Sequence, residues 1–206
     1  MTTRQHLAMT FLAVGTLAAP VQAQRPDLVV FIAVDQLRGD YLDRFSQQLN
    51  GGLARLKNQG AHFVNGFQDH AVTVTAVGHA TMLAGRFPSH HGIISNTLGV
   101  PDPQARSTEG KASASPFRFR GSVLFDWMRI ADPESRALSV SVKDRSATLP
   151  MGRAQQQSFW YSSSGSYTTS TYYADTLPDW VKQFNAQKLP HTYARRVWQP
   201  LRARRE

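Results

Sequence analysis

Two short apolar runs, separated by segments of helical spacing, constrain the fold of this chain more than any other feature. Leu28–Val34 is a continuous run rich in Val that ends at Asp35, and Ala137–Val142 is a second run that ends at Lys143. A continuous run such as Leu28–Val34 is typical of a strand buried on both faces of a parallel sheet, and Ala137–Val142 is predicted to be a second buried strand. The predicted fold class is therefore α/β, with a mostly parallel central sheet flanked by helices.

Helical spacing and turn signals occupy most of the remaining chain. Helices are predicted at Tyr41–Asn58 with an interruption at Gly51-Gly52, at Val77–Leu83, at Ser122–Ile130, and from Leu177-Pro178-Asp179-Trp180 onward. Residues 99–121 and 159–175 are rich in small, polar and turn-forming residues and are expected to be irregular insertions. For the second insertion a hairpin is the alternative, because its Trp and Tyr residues favour burial.

The first 23 residues have the three parts of a secretory signal peptide. Arg4 is the charged part, Leu7–Ala19 is an apolar run too short to span a bilayer, and Val21-Gln22-Ala23 is the small-residue cleavage pattern. Cleavage is expected after Ala23, which predicts a periplasmic or secreted protein whose catalytic part is residues 24–206. No later segment is apolar enough to predict a membrane span, and the sequence leaves the oligomeric state open.

Composition excludes several classes of site. The chain has no cysteine, so a disulfide framework, a cysteine-based zinc site and a cysteine nucleophile are all excluded. The net charge of +9 invites a nucleic-acid interpretation, but +4 of it lies in residues 195–206, with no aromatic-interleaved basic face upstream. No nucleic-acid partner is therefore predicted, and the mildly basic remainder suits a protein that handles small anions.

Five residues stand where a ligand site of an α/β fold is expected, beyond strand ends and at a helix start. Asp35, Lys143 and Arg145 follow the two predicted strands, Thr75 precedes the predicted helix at Val77, and Asn96 lies in a loop. Each has an ordinary alternative: Thr75 as a helix N-cap, Asn96 as a turn former, and the others as solvated loop charges. Because Lys143 and Arg145 are two positions apart at a strand end, their side chains are expected on the same side of the strand. Two cations placed there would suit the binding of an oxyanion.

Taken together, these segments resemble a known family in order and spacing. The segments are Asp35-Gln36, Thr73–Thr81, His91–Asn96 and Val142–Arg145, and the resemblance extends from about Pro26 to about Leu201. They resemble the threonine-nucleophile bacterial alkaline phosphatases of the phosphate-irrepressible type, in the alkaline phosphatase superfamily with the type I phosphodiesterases/nucleotide pyrophosphatases. The resemblance implies an alkaline-phosphatase-like fold and a metal-dependent phosphomonoesterase.

The resemblance also implies a role for each matching residue. Thr75 corresponds to the nucleophile that forms a phosphothreonine intermediate, and Asp35 to a ligand of one of two zinc ions, with the Thr75 oxygen in the same site. Asn96 corresponds to an amide that binds a phosphoryl oxygen, and Lys143 and Arg145 to the pair that holds the other oxygens. The diesterase relatives lack that pair, so the expected substrates are small phosphomonoesters; a phosphodiesterase or nucleotide pyrophosphatase of the same superfamily is the alternative.

Departures from the family pattern set limits on this interpretation. Ala76-Val77-Gly78 replaces the usual Gly-Pro-Gly, and Arg153 stands where a His is usual, so no role is predicted for Arg153. His79, His90 and His91 match no ligand position, and His79 is expected to be a structural hydrogen-bonding residue. The family's other zinc ligands match nothing in this sequence, so the chain is expected to be the N-terminal part of a longer enzyme. The alternative is an inactive fragment that at most binds phosphate.

Overall fold

The computed structural model describes residues 26–200. Residues 26–33 and residues 34–200 form separate units, and every helix and strand lies in the second. The α-helices are α1 (Tyr41–Arg44), α2 (Gly51–Gln59), α3 (Thr75–Ala84), α4 (Pro88–His91), α5 (Leu124–Ala131), α6 (Asp144–Thr148), α7 (Asp179–Ala186) and α8 (Leu189–Tyr193). The strands are β1 (Pro101–Arg106), β2 (Ala112–Ala114), β3 (Leu138–Ser141), β4 (Gln157–Tyr161) and β5 (Tyr167–Thr168).

A β–α–β unit forms the centre of the described fold. β3 and β4 pair in parallel, with Val140 opposite Phe159, and the connection between them contains α6 and a 3₁₀ turn at Leu149–Met151. β5 then pairs antiparallel with β4, giving the order β3-β4-β5. The position of the second predicted strand and the hairpin alternative for residues 159–175 are thus confirmed. The expected burial of that strand is wrong: the middle of β4 is buried, but Leu138 and Val140 of β3 are about half exposed.

The prediction of a strand at Leu28–Val34 is wrong for the described structure. These residues belong to neither sheet and are exposed, with Ile32 71% accessible. An apolar run becomes a buried strand only where neighbouring strands take up its backbone hydrogen bonds and other layers cover its faces. Residues 28–34 pair with no strand of the two described sheets.

The expectation that residues 99–121 are irregular is also wrong in part. β1 and β2 form an antiparallel pair there, with Pro101 opposite Ala114 and a register shift between Asp102 and Arg106. The irregular register and the prolines of β1 remove the simple alternation by which a hairpin is recognised in a sequence. This pair contacts the second hairpin through a bridge between Ser107 and Ser170.

The predicted helices are confirmed with changed boundaries. The first breaks into α1, a 3₁₀ turn at Ser46–Gln48 and α2, so the interruption comes just before Gly51 rather than within the glycine pair. α5 begins after Val123, whose N–H donates to the Asp126 carboxylate at 2.8 Å. α7 begins at Asp179, immediately after Pro178. In residues 26–200 no helix is both long and apolar enough to cross a membrane.

The hydrophobic core packs around α3. Ala76, Ala80 and Ala84 lie on its buried face and contact a cluster that includes Ile93, Val100, Phe119, Val123, Phe125, Leu149 and Met151. Small side chains on α3 allow these larger ones to pack close to the helix backbone. The packing fixes the position of the N-terminus of α3, where Thr75 lies.

Candidate active site

Thr75 is the first residue of α3 and not its N-cap. The residue before the helix is Val74, which has no side-chain cap, and Gly85 ends the helix in the left-handed conformation with φ 59°. The N-cap interpretation of Thr75 is therefore wrong. Its hydroxyl is free to make contacts away from its own helix, and it donates a hydrogen bond to Asp35 Oδ2 at 3.2 Å.

Three side chains that are far apart in the sequence converge at this point. Lys143 Nζ lies 2.7 Å from Asp35 Oδ2 and 3.4 Å from Thr75 Oγ1. The hydrogen bond from Lys143 holds the pKa of the Asp35 carboxyl below its ordinary value, and the Thr75 hydroxyl adds to the effect. Asp35 is therefore an ionised acceptor, and the Thr75 oxygen lies between a carboxylate and an ammonium group. Both charged side chains are about 40% accessible, so the group is open to a ligand.

The backbone beside Asp35 is unusual. Gln36 has φ 62°, in the left-handed region that residues with a side chain rarely adopt. Asp35 and Gln36 form a tight turn. The carboxylate of this turn accepts hydrogen bonds from Thr75 and Lys143.

Asn96 is joined to the start of α3 through its side chain. The N–H of Ala76 donates to Asn96 Oδ1 at 2.9 Å, which satisfies one of the unpaired N–H groups at the helix start. The side-chain oxygen of Asn96 is therefore already engaged in a hydrogen bond within the protein. Its Nδ2 group is the donor that remains for a ligand.

Lys143 and Arg145 lie at the start of α6, at the carboxyl end of β3. Alternation along a strand does not apply to them, because α6 begins at Asp144, so the geometric reason given from the sequence is wrong. The Asp144 carboxylate instead accepts the N–H groups of Ala114 at 2.8 Å and Arg145 at 2.7 Å. Lys143 and Arg145 nevertheless line one cavity of about 250 Å³. Among the described residues Arg145 Nε is buried without a hydrogen-bond partner, and the Arg145 guanidinium lies 3.7 Å from Asp144 Oδ1.

Two histidines support α3 from within the fold. His79 Nδ1 donates to the Thr75 carbonyl at 2.8 Å, which confirms the structural role predicted for His79. His91 is fully buried, accepts the Ile93 N–H at Nδ1, and donates from Nε2 to Thr81 Oγ1 at 3.0 Å. These bonds tie the helix that carries Thr75 to the segment that leads to Asn96.

The metal-binding capacity of the described residues is partial. Within residues 26–200 no group of three or more His, Asp or Glu side chains could hold a metal ion. Asp35 and Thr75 do place a carboxylate and a hydroxyl oxygen close enough to share one cation, and the Lys143 ammonium already contacts both. Two oxygens are fewer than the three protein ligands that a catalytic metal site takes, so the described residues supply one part of such a site.

The structure thus brings Asp35, Thr75 and Lys143 into direct contact, places Asn96 one hydrogen bond from α3, and places Arg145 beside Lys143. Sequence reasoning missed the role of Asp144, although an acid in the first turn of a helix after a strand is a recognisable signal. It also missed the part of the cavity wall that comes from residues 107–111, because turn-forming residues there predict an irregular segment.

A comparison with protein families gives a match to the model "Type I phosphodiesterase / nucleotide pyrophosphatase" over residues 29–204. The chain belongs to this family. The family resemblance inferred from the motifs is thereby confirmed.

Three relatives are similar over most of this chain. Alkaline phosphatase PhoV of Synechococcus elongatus is 37% identical over 198 residues, which cover 88% of this chain and 36% of PhoV. A "Calcium-transporting ATPase" of Myroides odoratus is 33% identical over 89% of this chain and 36% of its own length. Alkaline phosphatase PafA of Elizabethkingia meningoseptica is 34% identical over 86% of this chain and 36% of its own length. The chain thus spans about a third of the length of these relatives.

Solved structures of PafA identify the fold of this family member as alkaline-phosphatase-like. The wild-type structure matches with a TM-score of 0.75 and 33% identity, over 82% of this chain and 36% of PafA. A second PafA structure, with a TM-score of 0.74, carries substitutions of a threonine, an asparagine, a lysine and an arginine. The same four residue types occur in the same order in this chain, as Thr75, Asn96, Lys143 and Arg145. The number of residues between Thr and Asn, and between Lys and Arg, is the same as between the substituted residues of PafA.

Proposed function

We propose that this chain carries the nucleophile side of a phosphomonoester hydrolase that acts through a phosphothreonine intermediate at Thr75. The observation that carries the proposal is the convergence of Asp35, Thr75 and Lys143, which come from three separate segments. The family membership and the alkaline phosphatase relatives support the same reaction class.

The Thr75 hydroxyl is positioned for attack on phosphorus. It donates to the Asp35 carboxylate, so a lone pair of Oγ1 is directed away from that carboxylate, and the nearby Lys143 ammonium stabilises the negative charge that develops on the oxygen. The new bond joins Thr75 Oγ1 to phosphorus as the hydroxyl proton is lost to solvent. The bond to the ester oxygen breaks, and that oxygen takes a proton from solvent and leaves as the alcohol. Water then cleaves the phosphothreonine and releases inorganic phosphate.

The neighbouring donors suit the other phosphoryl oxygens. Arg145 offers its guanidinium, Asn96 its Nδ2 group, and the N-terminus of α3 favours an anion through its dipole. A phosphomonoester carries one more ionised oxygen than a diester. The Lys143–Arg145 pair therefore favours monoesters, whereas diester hydrolysis is the alternative that the family description allows.

Zinc is the metal that we propose for the complete site, with Asp35 and Thr75 among its ligands. When bound, it would lower the pKa of the threonine hydroxyl and stabilise oxygen charge. We also propose export from the cytoplasm, on the signal-peptide pattern of residues 1–23, which lie outside the described residues.

The test compares Thr75→Ala with Thr73→Ala, a matched change at an exposed threonine two positions away. The 206-residue chain is assayed with p-nitrophenyl phosphate and bis(p-nitrophenyl) phosphate in the presence of zinc. We expect monoester turnover that Thr75→Ala abolishes and Thr73→Ala retains, and a phosphorylated Thr75 peptide by mass spectrometry after acid quenching. Turnover that survives Thr75→Ala contradicts the nucleophile, and preference for the diester contradicts the substrate class.

One further outcome separates catalysis from binding. Absence of turnover, together with phosphate binding that Lys143→Ala weakens, would favour the alternative that this chain binds phosphate without hydrolysing its esters.

A further inference from the structure

Two hairpin turns meet beside the proposed phosphate site. The turn between β1 and β2 carries Glu109 and Lys111, and the turn between β4 and β5 carries Ser162, Ser163 and Ser164. The hydroxyls of Ser162 and Ser164 donate to Glu109 Oε1 at 2.5 and 2.6 Å, and Lys111 Nζ donates to Ser163 Oγ at 3.2 Å. The two turns therefore form one connected wall.

This wall and the phosphate-binding pair border the same space. The cavity of about 250 Å³ has Lys143 and Arg145 among its lining residues, and also Glu109, Lys111, Tyr161 and Ser163. That volume is several times the roughly 30 Å³ that one water molecule occupies in the liquid. The cavity adjoins the proposed site through Lys143 and Arg145, whereas Asp35, Thr75 and Asn96 are not among its lining residues. An ester substituent that extends past Lys143 and Arg145, away from Thr75, would enter this cavity.

The chemistry of the wall is that of hydroxyl recognition. Oε1 of Glu109 accepts two serine hydroxyls, and these hydrogen bonds lower the pKa of its carboxyl, so that Glu109 is ionised at neutral pH. Oε2 lies 3.8 Å from Lys111 Nζ, beyond hydrogen-bond range, and is an acceptor still open to a ligand. Lys111 and the Ser163 hydroxyl supply polar groups beside it. One acceptor and several donors on a partly shielded wall suit a group with multiple hydroxyls.

We propose that this cavity binds the alcohol part of the substrate and selects polyhydroxylated alcohols, with Glu109 as the specificity-determining residue. The proposal rests on the proposed function for the position of the phosphoryl group. A phosphate ester whose alcohol part has no further hydroxyl group would leave Glu109 Oε2 without a partner from the ligand. A glyceryl or sugar phosphate would supply a hydroxyl for it.

The test is a binding comparison on the 206-residue chain by isothermal titration calorimetry. Glycerol 2-phosphate, methyl phosphate and inorganic phosphate are the probes, because the two esters carry the same phosphoryl group and differ in free hydroxyls. Glu109→Gln keeps an oxygen that can accept the serine hydroxyls but removes the charge. Glu134→Gln is the matched control at an exposed glutamate outside the cavity.

We expect wild type and Glu134→Gln to bind glycerol 2-phosphate at least about fivefold more tightly than methyl phosphate, the range of a charge-assisted hydrogen bond at a partly exposed site. Glu109→Gln should remove that difference and leave the affinities for methyl phosphate and inorganic phosphate unchanged. Equal binding of the two esters by wild type overturns the proposal, as does binding of none of the probes. An equal loss for all three in Glu109→Gln also overturns it, because that is the result of a purely structural role.

Binding requires no turnover, so this comparison is separate from the hydrolysis assay. Absence of hydrolysis refutes the proposed reaction, whereas loss of the glycerol preference refutes the selection of the alcohol.

Discussion

His91 gives the fold a stability that depends on pH. Its ring is fully buried, lies parallel to the Phe119 ring with centroids 5.7 Å apart, and uses both nitrogens in hydrogen bonds. Burial, with a smaller contribution from the charge of His70, lowers the pKa of His91 from 6.5 to about 4. The folded protein therefore keeps this ring neutral at pH values where the unfolded chain protonates it.

The direction and size of the effect follow from this pKa. Above pH 6.5 the ring is neutral in both states, so His91 contributes no pH dependence. As the pH falls from 6.5 to about 4, the unfolded state gains a proton that the folded state lacks, and the free energy of unfolding decreases. Each pH unit in this window lowers the free energy of unfolding by at most about 1.4 kcal/mol, and the whole window lowers it by about 3 kcal/mol.

The perturbation that tests this is His91→Gln, which keeps a donor for Thr81 and removes the titrating ring. Urea unfolding followed by tryptophan fluorescence gives the free energy of unfolding at several pH values, with His90→Gln at an exposed histidine as the control. We expect the destabilisation caused by His91→Gln at pH 7 to shrink by about 3 kcal/mol by pH 4. A destabilisation that is constant over this range would refute the reasoning, as would an equal pH dependence in His90→Gln.

Two further predictions concern α3. Gly85→Ala should lower the free energy of unfolding by about 1 kcal/mol in urea titrations, because Gly85 has φ 59° and no neighbour that a Cβ would meet, so the cost is that of the left-handed backbone alone. Gly39→Ala, where a Cβ also meets nothing but φ is ordinary, should be close to neutral, and an equal loss at both positions would contradict the explanation. Asn96→Asp should keep the acceptor for the Ala76 N–H and hence the thermal stability, while it lowers kcat/KM for p-nitrophenyl phosphate by at least about tenfold, since it replaces a donor with a negative charge. Unchanged kcat/KM, measured beside an unchanged melting temperature, would remove Asn96 from the proposed site.

The local elements follow largely from the sequence. The helical spacing after Thr75, the glycine that ends α3, the start of α5 and the strand at 138–141 are all determined by residues near one another in the chain. The motifs around Thr75, Asn96 and Lys143 also predicted the family that the comparisons confirm. Short-range patterns of this kind are visible in a sequence because their hydrogen bonds and packing are local.

Two of the wrong expectations, at Leu28–Val34 and at Thr75, depend on partners that are distant in the sequence, whereas the third, at β1 and β2, is local. Leu28–Val34 has the pattern of a buried strand, but a strand also needs neighbours that no pattern within it supplies. The β1–β2 pair was missed because its register is irregular. The N-cap alternative for Thr75 is wrong, and nothing in the adjacent residues reveals that Asp35 is the acceptor of its hydroxyl.

The sequence by itself determined the class of elements, the family and the identity of five candidate site residues. Only the tertiary structure decided which atoms meet: that Lys143 reaches Asp35 and Thr75, that Asn96 uses its oxygen on α3, and that Glu109 and Lys111 border the same cavity as Arg145. Side-chain type and helical period are properties of a short segment. The contact of one charge with another across more than a hundred residues is fixed by the packing of the whole unit.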